Sequence, residues 1–121
     1  MSVQKRIKSF GYAFRGIASL VRSELHARIH LTAMVVVILA GIYFGVSPME
    51  WAILSLTIAA VLAAEGFNTA IEALTDLVSP DYHTLAGKAK DVAAGAVLLL
   101  AIGAIGVAIS IFGPKIWALF L

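Results

Sequence analysis

Glu65, Asn68, Glu72 and Asp76 are the residues of this sequence best placed to do chemistry together. They stand at i, i+3, i+7 and i+11. At roughly 100° per residue these offsets fall within about 80° of one another on a helix. Three carboxylates and one amide therefore share a single stripe. Further ionisable groups flank the stripe in the chain: Glu24 upstream, Asp81, Tyr82 and His83 in a short break, then Lys90 and Asp91. Acidic oxygens with no cysteine and no complete histidine ligand set suit a hard cation such as Mg²⁺ rather than zinc. Mg²⁺ prefers one or two carboxylates together with substrate phosphates. Carboxylates for the cation, a lysine for phosphate and an acceptor reached from lipid make phosphoryl transfer from ATP to a lipid hydroxyl one candidate reaction. An ion or proton-coupled transporter and a purely structural polar seam are others. No GxxxxGK[ST] or GxGxxG stretch occurs, so a Walker or dinucleotide loop is not available for ATP.

The surroundings of the stripe decide what such acids are doing. The 121 residues are 61% hydrophobic and only 13% charged, with a mean hydropathy of +0.98. A soluble domain carries roughly 45–50% apolar and about 25% charged residues. So much apolar surface cannot be hidden in a core of this size, and most of it must face lipid. The same composition excludes intrinsic disorder. The absence of cysteine excludes a disulfide scaffold, a thiolate metal site and a cysteine nucleophile.

The expected architecture is an all-α integral membrane protein in one domain, 1–121. Residues 1–28 form an amphipathic surface arm and residues 29–49, 51–78 and 90–114 form three transmembrane helices. The uncharged run 29–49, of about 21 residues, is long enough for a ~30 Å hydrocarbon core. In the arm Ile7, Phe10, Phe14, Ile17 and Val21 recur every three or four residues, and Lys8, Arg15 and Arg22 share another face. Such a helix lies in the membrane surface with its basic face toward anionic headgroups. Ser79-Pro80-Asp81 stops the second span. Basic residues precede the first span and sit between the second and third, whereas Ser47-Pro48-Met49-Glu50 has none. The positive-inside rule puts the N-terminus and the second loop in the cytoplasm and the C-terminus outside. Counted from Trp51, Glu65 then lies roughly 21 Å along its helix, inside the hydrocarbon near the cytoplasmic side. A charge there is costly and needs a partner, a bound proton or a polar cavity. Gly41 and Gly45 spell GxxxG, which permits a close helix crossing. His26 and His30, four apart, permit a metal pair. Tyr43, Trp51 and Trp117 suit an interfacial aromatic belt.

Two segments also carry a resemblance. Glu65-Gly66-Phe67-Asn68-Thr69-Ala70-Ile71-Glu72 followed by Asp76 resembles the E-x-x-N-[ST]-A-I-E-x-x-x-D signature of prokaryotic diacylglycerol kinases. Tyr82-His83 and Gly87-Lys88-Ala89-Lys90-Asp91 resemble that family's second block. The resemblance runs from Lys8 to about Ile111. It implies a small integral-membrane kinase of the bacterial inner membrane, a homotrimer with sites shared between subunits, using Mg²⁺ and ATP on a membrane lipid, with no nucleic-acid partner. Arg28-Ile29-His30-Leu31 and Lys90-Asp91-Val92-Ala93-Ala94-Gly95 look closer to the branch that phosphorylates undecaprenol than to the one that phosphorylates diacylglycerol. Carried over residue by residue, the resemblance implies Glu65 as catalytic base and Glu24 and Glu72 as metal carboxylates. It implies Lys5, Tyr12, Glu24, Asn68, Glu72, Asp76, Asp81, His83, Lys90 and Asp91 about the nucleotide. Glu65, Phe14, Arg28 and Trp51 would face the lipid substrate. Gly66 stands where the family has a bulky apolar residue, and Lys5 where some members have arginine.

Overall fold

The computed structural model describes residues 2–121. They form four helices: α1 (Val3–Ser23), α2 (Leu25–Phe44), α3 (Pro48–Val78) and α4 (Thr84–Ala118). Three of them, α2 to α4, are long and apolar enough to cross a membrane. At 1.5 Å per residue α2 spans about 30 Å, α3 about 46 Å and α4 about 52 Å. The last two overshoot a ~30 Å hydrocarbon layer, and the acidic stripe lies on the far half of α3.

Each boundary has a local cause. α1 starts on a Ser2 side-chain cap and ends at Glu24, whose extended backbone (φ −112°, ψ 116°) separates it from α2. The break falls at residue 24, and α2 begins at Leu25 rather than 29, because the helix runs on through His26 and Arg28, which interrupt only the uncharged run. Gly45 ends α2 in the left-handed region at φ 63°. The Val46 N–H then reaches back to the Gly41 carbonyl at 3.1 Å, closing a Schellman turn that an L side chain at residue 45 would strain. α3 opens on a capping box: Ser47 Oγ accepts from the Glu50 N–H and Glu50 Oε1 from the Ser47 N–H, at 3.1 and 3.0 Å. α4 opens at Thr84, several residues before 90, because His83 Nδ1 accepts the Leu85 N–H at 3.1 Å and caps it. It also runs past Pro114 to Ala118. Lys115 Nζ donates to the Ile111 carbonyl, beside the hydrogen-bond gap that the proline leaves.

The packing is uneven along the bundle. α3 and α4 make the most extensive helix contact. The apolar core gathers at the end where α2 turns into α3: Val46, Leu54, Ile111 and Phe112 are buried, with Phe44 and Trp51 packed against them. Lys115 Nζ lies 2.7 Å from Glu50 Oε2 and ties α4 to the same turn. Elsewhere Val36, Leu39, Leu56, Leu99, Ile102 and Ile109 are exposed, a surface for lipid or for further helices. Gly41 is buried, but not against a helix backbone. A Cβ there would meet the Trp51 indole at 2.5 Å. The GxxxG is therefore two devices, a slot for an indole at Gly41 and a helix stop at Gly45.

Gly41→Val should cost about 1–3 kcal/mol by overpacking, read as a lower thermal midpoint in detergent micelles. The cost should shrink in a Trp51→Ala background, since the two positions share one contact. Equal cost in both backgrounds would remove the indole slot from the account.

Candidate functional site

Glu65 is the one buried charged residue among those described, 3% exposed. It sits about 26 Å from the start of α3, beyond the apolar core. A carboxylate in such surroundings carries a heavy desolvation cost unless another group compensates. The facing polar group comes from α2: His30 Nδ1 lies 3.0 Å from Glu65 Oε1. The two atoms are close but not aligned as a hydrogen bond, and neither has another hydrogen-bond partner. α1 comes near the next residue: Leu20 Cδ2 lies 3.7 Å from where a Gly66 Cβ would stand, an ordinary contact distance.

The rest of the stripe opens step by step toward water. Asn68 Nδ2 donates to Glu72 Oε1 at 3.3 Å, both residues half-buried. Asn68 Oδ1 is buried with no partner, an oxygen donor left over beside a carboxylate. Asp76 on α3 pairs with Lys90 on α4, and these side chains are 64% and 40% exposed. The charge of Glu72 also reaches Lys90. The sequence of groups along α3 is therefore a buried acid, an amide, a half-buried carboxylate and a solvated ion pair. It runs from apolar surroundings to water within about three turns. This is the geometry for bringing a water-soluble polyanion and an apolar-phase reactant to one carboxylate.

Other expected residues stand apart from that line. Glu24 is half-buried at the α1–α2 break, its side chain making no cap bond. Arg28 is exposed on the first turn of α2, and no ion pair joins it to Glu24. Lys5, Tyr12 and Phe14 lie exposed on α1, and the Arg15 guanidinium stands 5.3 Å from the Tyr12 ring centroid. Asp81 and His83 are in the α3–α4 link, with His83 used as a helix cap, and Asp91 is exposed on α4. Trp51 is at the opposite end of α3, against Gly41, about 21 Å along the axis from Glu65; one chain does not bring the two together. Among the described residues no three histidine or acidic groups converge on a common point. Sequence reasoning set His30 beside His26 as a possible metal pair and missed its approach to Glu65. The signal was present in their depth: both lie toward the same side of the membrane on adjacent spans.

Comparison with known proteins places these observations. The profile of the prokaryotic diacylglycerol kinases matches residues 11–112. The chain is 39% identical to an undecaprenol kinase of Bacillus subtilis, over 90% of this chain and 89% of that one. It is 40% identical to a diacylglycerol kinase of Synechocystis, over 93% of this chain and 65% of that one. It is 30% identical to a diacylglycerol kinase of Escherichia coli, over 82% of this chain and 81% of that one.

Proposed function

The chain belongs to the prokaryotic diacylglycerol kinase family and is a membrane lipid kinase, and from that premise we propose that it phosphorylates undecaprenol with ATP as donor. The observation that carries the reading is the buried Glu65 at the head of a polar line leading to water. The undecaprenol kinase relative matches nearly the full length of both chains, which favours that acceptor. Diacylglycerol is the second reading, supported by the names of the other relatives.

In this reading the acceptor hydroxyl attacks the γ-phosphorus, the bond to the β-phosphate oxygen breaks, ADP departs, and the hydroxyl proton passes to Glu65. Such transfers depend mainly on positioning and charge neutralisation, which suits a chain with few polar groups. Lys90 is the phosphate contact; it leaves Asp76 for the nucleotide, an exchange of one anionic partner for another. Asn68 holds phosphate oxygens or the base from the same helix face. Tyr12, Asp81, His83, Asp91 and Lys5 contribute to the nucleotide pocket, and Phe14 and Arg28 border the acceptor. Glu72 and Glu24 are assigned to Mg²⁺, which when bound neutralises charge on the phosphate oxygens. The residues fit that cation: the donors are oxygens, Asn68 Oδ1 is unpartnered beside Glu72, and Mg²⁺ needs only one or two carboxylates with phosphates and water.

The arm α1 lies in the membrane surface. The assembly is a homotrimer whose sites are shared between neighbouring subunits. Its support is that one chain leaves Glu24, Lys5 and Tyr12 apart from the stripe, while large apolar faces of α2 and α4 are open. The protein is placed in the bacterial inner membrane with its N-terminus in the cytoplasm and its C-terminus outside, supported by the distribution of Lys and Arg.

Purified protein given radiolabelled ATP and a panel of undecaprenol, diacylglycerol and ceramide should label undecaprenol most efficiently. Label on diacylglycerol alone overturns the acceptor, and no labelled lipid overturns the reaction. Glu65→Gln should lower kcat by about 10²–10⁴-fold, the range for loss of a general base; full activity ends the base assignment. Glu72→Gln should raise the Mg²⁺ concentration for half-maximal activity at least about tenfold, and an unchanged Mg²⁺ titration speaks against that ligand. The chain has no cysteine, so single substitutions report topology. With an impermeant maleimide, Phe120→Cys should label in intact cells and Tyr82→Cys only after permeabilisation. The reverse pattern inverts the orientation.

A further inference from the structure

We propose that His30 is a positioning residue for Glu65: its Nδ1–H holds one carboxylate oxygen so that the other is presented to the acceptor hydroxyl. The proposal rests on the reading of Glu65 as base. Its ground is the 3.0 Å approach of Nδ1 to Oε1 across the α2–α3 contact, with the Glu65 side chain 4% and that of His30 24% exposed. Among the described residues Glu65 has no other ion-pair or hydrogen-bond partner.

The chemistry of the partner matters. A lysine or arginine beside Glu65 would satisfy the buried charge but would also weaken the carboxylate as a base, since a fixed positive charge favours its ionised form. A neutral imidazole donates one hydrogen bond and adds no net charge. It restrains the carboxylate while leaving one oxygen free to take a proton. The two atoms are now in contact but misaligned; catalytic hydrogen bonds are often bent without substrate and tighten when it binds.

His30 also occupies a second boundary. It lines a cavity of about 260 Å³ between α2, α3 and α4 whose other walls include Met34, Val37, Val61, Ala104 and Ile105. The same ring therefore touches both the acid and a largely apolar space within the bundle. A role as cavity wall alone is the competing explanation, and kinetics separate the two. A wall residue alters the KM for the lipid. A residue that aims the base alters kcat and leaves both KM values nearly in place.

The test compares His30→Leu, which keeps bulk and removes the donor, with His30→Asn, whose amide N–H falls near the Nδ1 position. Glu65→Gln is assayed beside them. The expected result is a fall in kcat of about 10–100-fold for the leucine variant, the scale for a misplaced catalytic group. KM for MgATP and for lipid should stay within about twofold, and the asparagine variant should recover most of kcat. Unchanged kcat in the leucine variant, equal losses in both variants, or a change confined to lipid KM overturns the proposal. If Glu65→Gln is itself active, the base assignment fails instead. A measurement on the unmutated protein stands independently of how the variants fold. The ¹⁵N spectrum of the His30 ring, assigned by its loss in His30→Asn, should show the proton on Nδ1. A ring carrying its proton on Nε2 overturns the proposal equally.

Discussion

A carboxylate set among apolar helices is the constraint from which the rest of this structure follows. Glu65 is 3% exposed, and the other buried side chains among the described residues are apolar. Membrane insertion charges about 2.5–3.5 kcal/mol for an acid at a helix centre, and less toward an edge. An evolved helix keeps such a group only if neighbours offset the cost. Here α2 supplies an imidazole at 3.0 Å, and Leu20 of α1 packs near Gly66, the next residue. The packing around Glu65 hides a charge while the polar residues that follow it on α3 lead toward water.

That arrangement explains why the two ends of the bundle are built so differently. At the α2–α3 turn, a Schellman closure, a capping box, an indole in a glycine slot and the Glu50–Lys115 pair converge on one small region. Glu50 serves twice there, through Oε1 to the Ser47 N–H and through Oε2 to Lys115. Toward the other end the ion pair that links α3 to α4, Asp76 with Lys90, is exposed. Exposed pairs contribute at most about 1 kcal/mol. Such a link is easily exchanged for another anionic partner of Lys90, as the proposed nucleotide contact requires.

Helix identity and the polar stripe were legible because both depend on single-chain periodicity. Runs free of charge mark the spans, and i, i+3, i+7, i+11 spacing survives whatever the helix packs against. Boundaries were less legible for a specific reason. The uncharged stretch 29–49 measures where charges stop, whereas α2 begins at Leu25 because nothing breaks its backbone between His26 and Arg28. Likewise α4 begins at Thr84 on a histidine cap, and histidine is not among the residues that usually signal a helix start. Pairing between helices was least legible. The His26–His30 spacing suggested a ligand pair on one helix, but the partner of His30 stands on another element, and no periodicity encodes that. Gly41 posed the same problem, since GxxxG describes a groove without naming the side chain that fills it.

With Glu65 as the proposed base, its depth also constrains which alcohols can be substrates. A soluble alcohol would have to leave water to reach a carboxylate this enclosed, giving up hydration with nothing in the apolar surroundings to replace it. An alcohol on a long hydrocarbon chain is already in that phase, and only its head must approach the polar line. In the proposed reaction the nucleotide meets the opposite condition: its phosphates are held in water by their charge and advance along Lys90, Glu72 and Asn68. The two reactants then meet between the buried Glu65 and the half-buried Glu72. Moving the acid one turn deeper would strand it from the phosphates. Moving it one turn outward would expose it to water, which carries the same nucleophilic group as the lipid and would compete for the phosphoryl group. In the proposed reaction burial of the base thus favours transfer to lipid over hydrolysis, and the His30 imidazole 3.0 Å away is the polar group set against it.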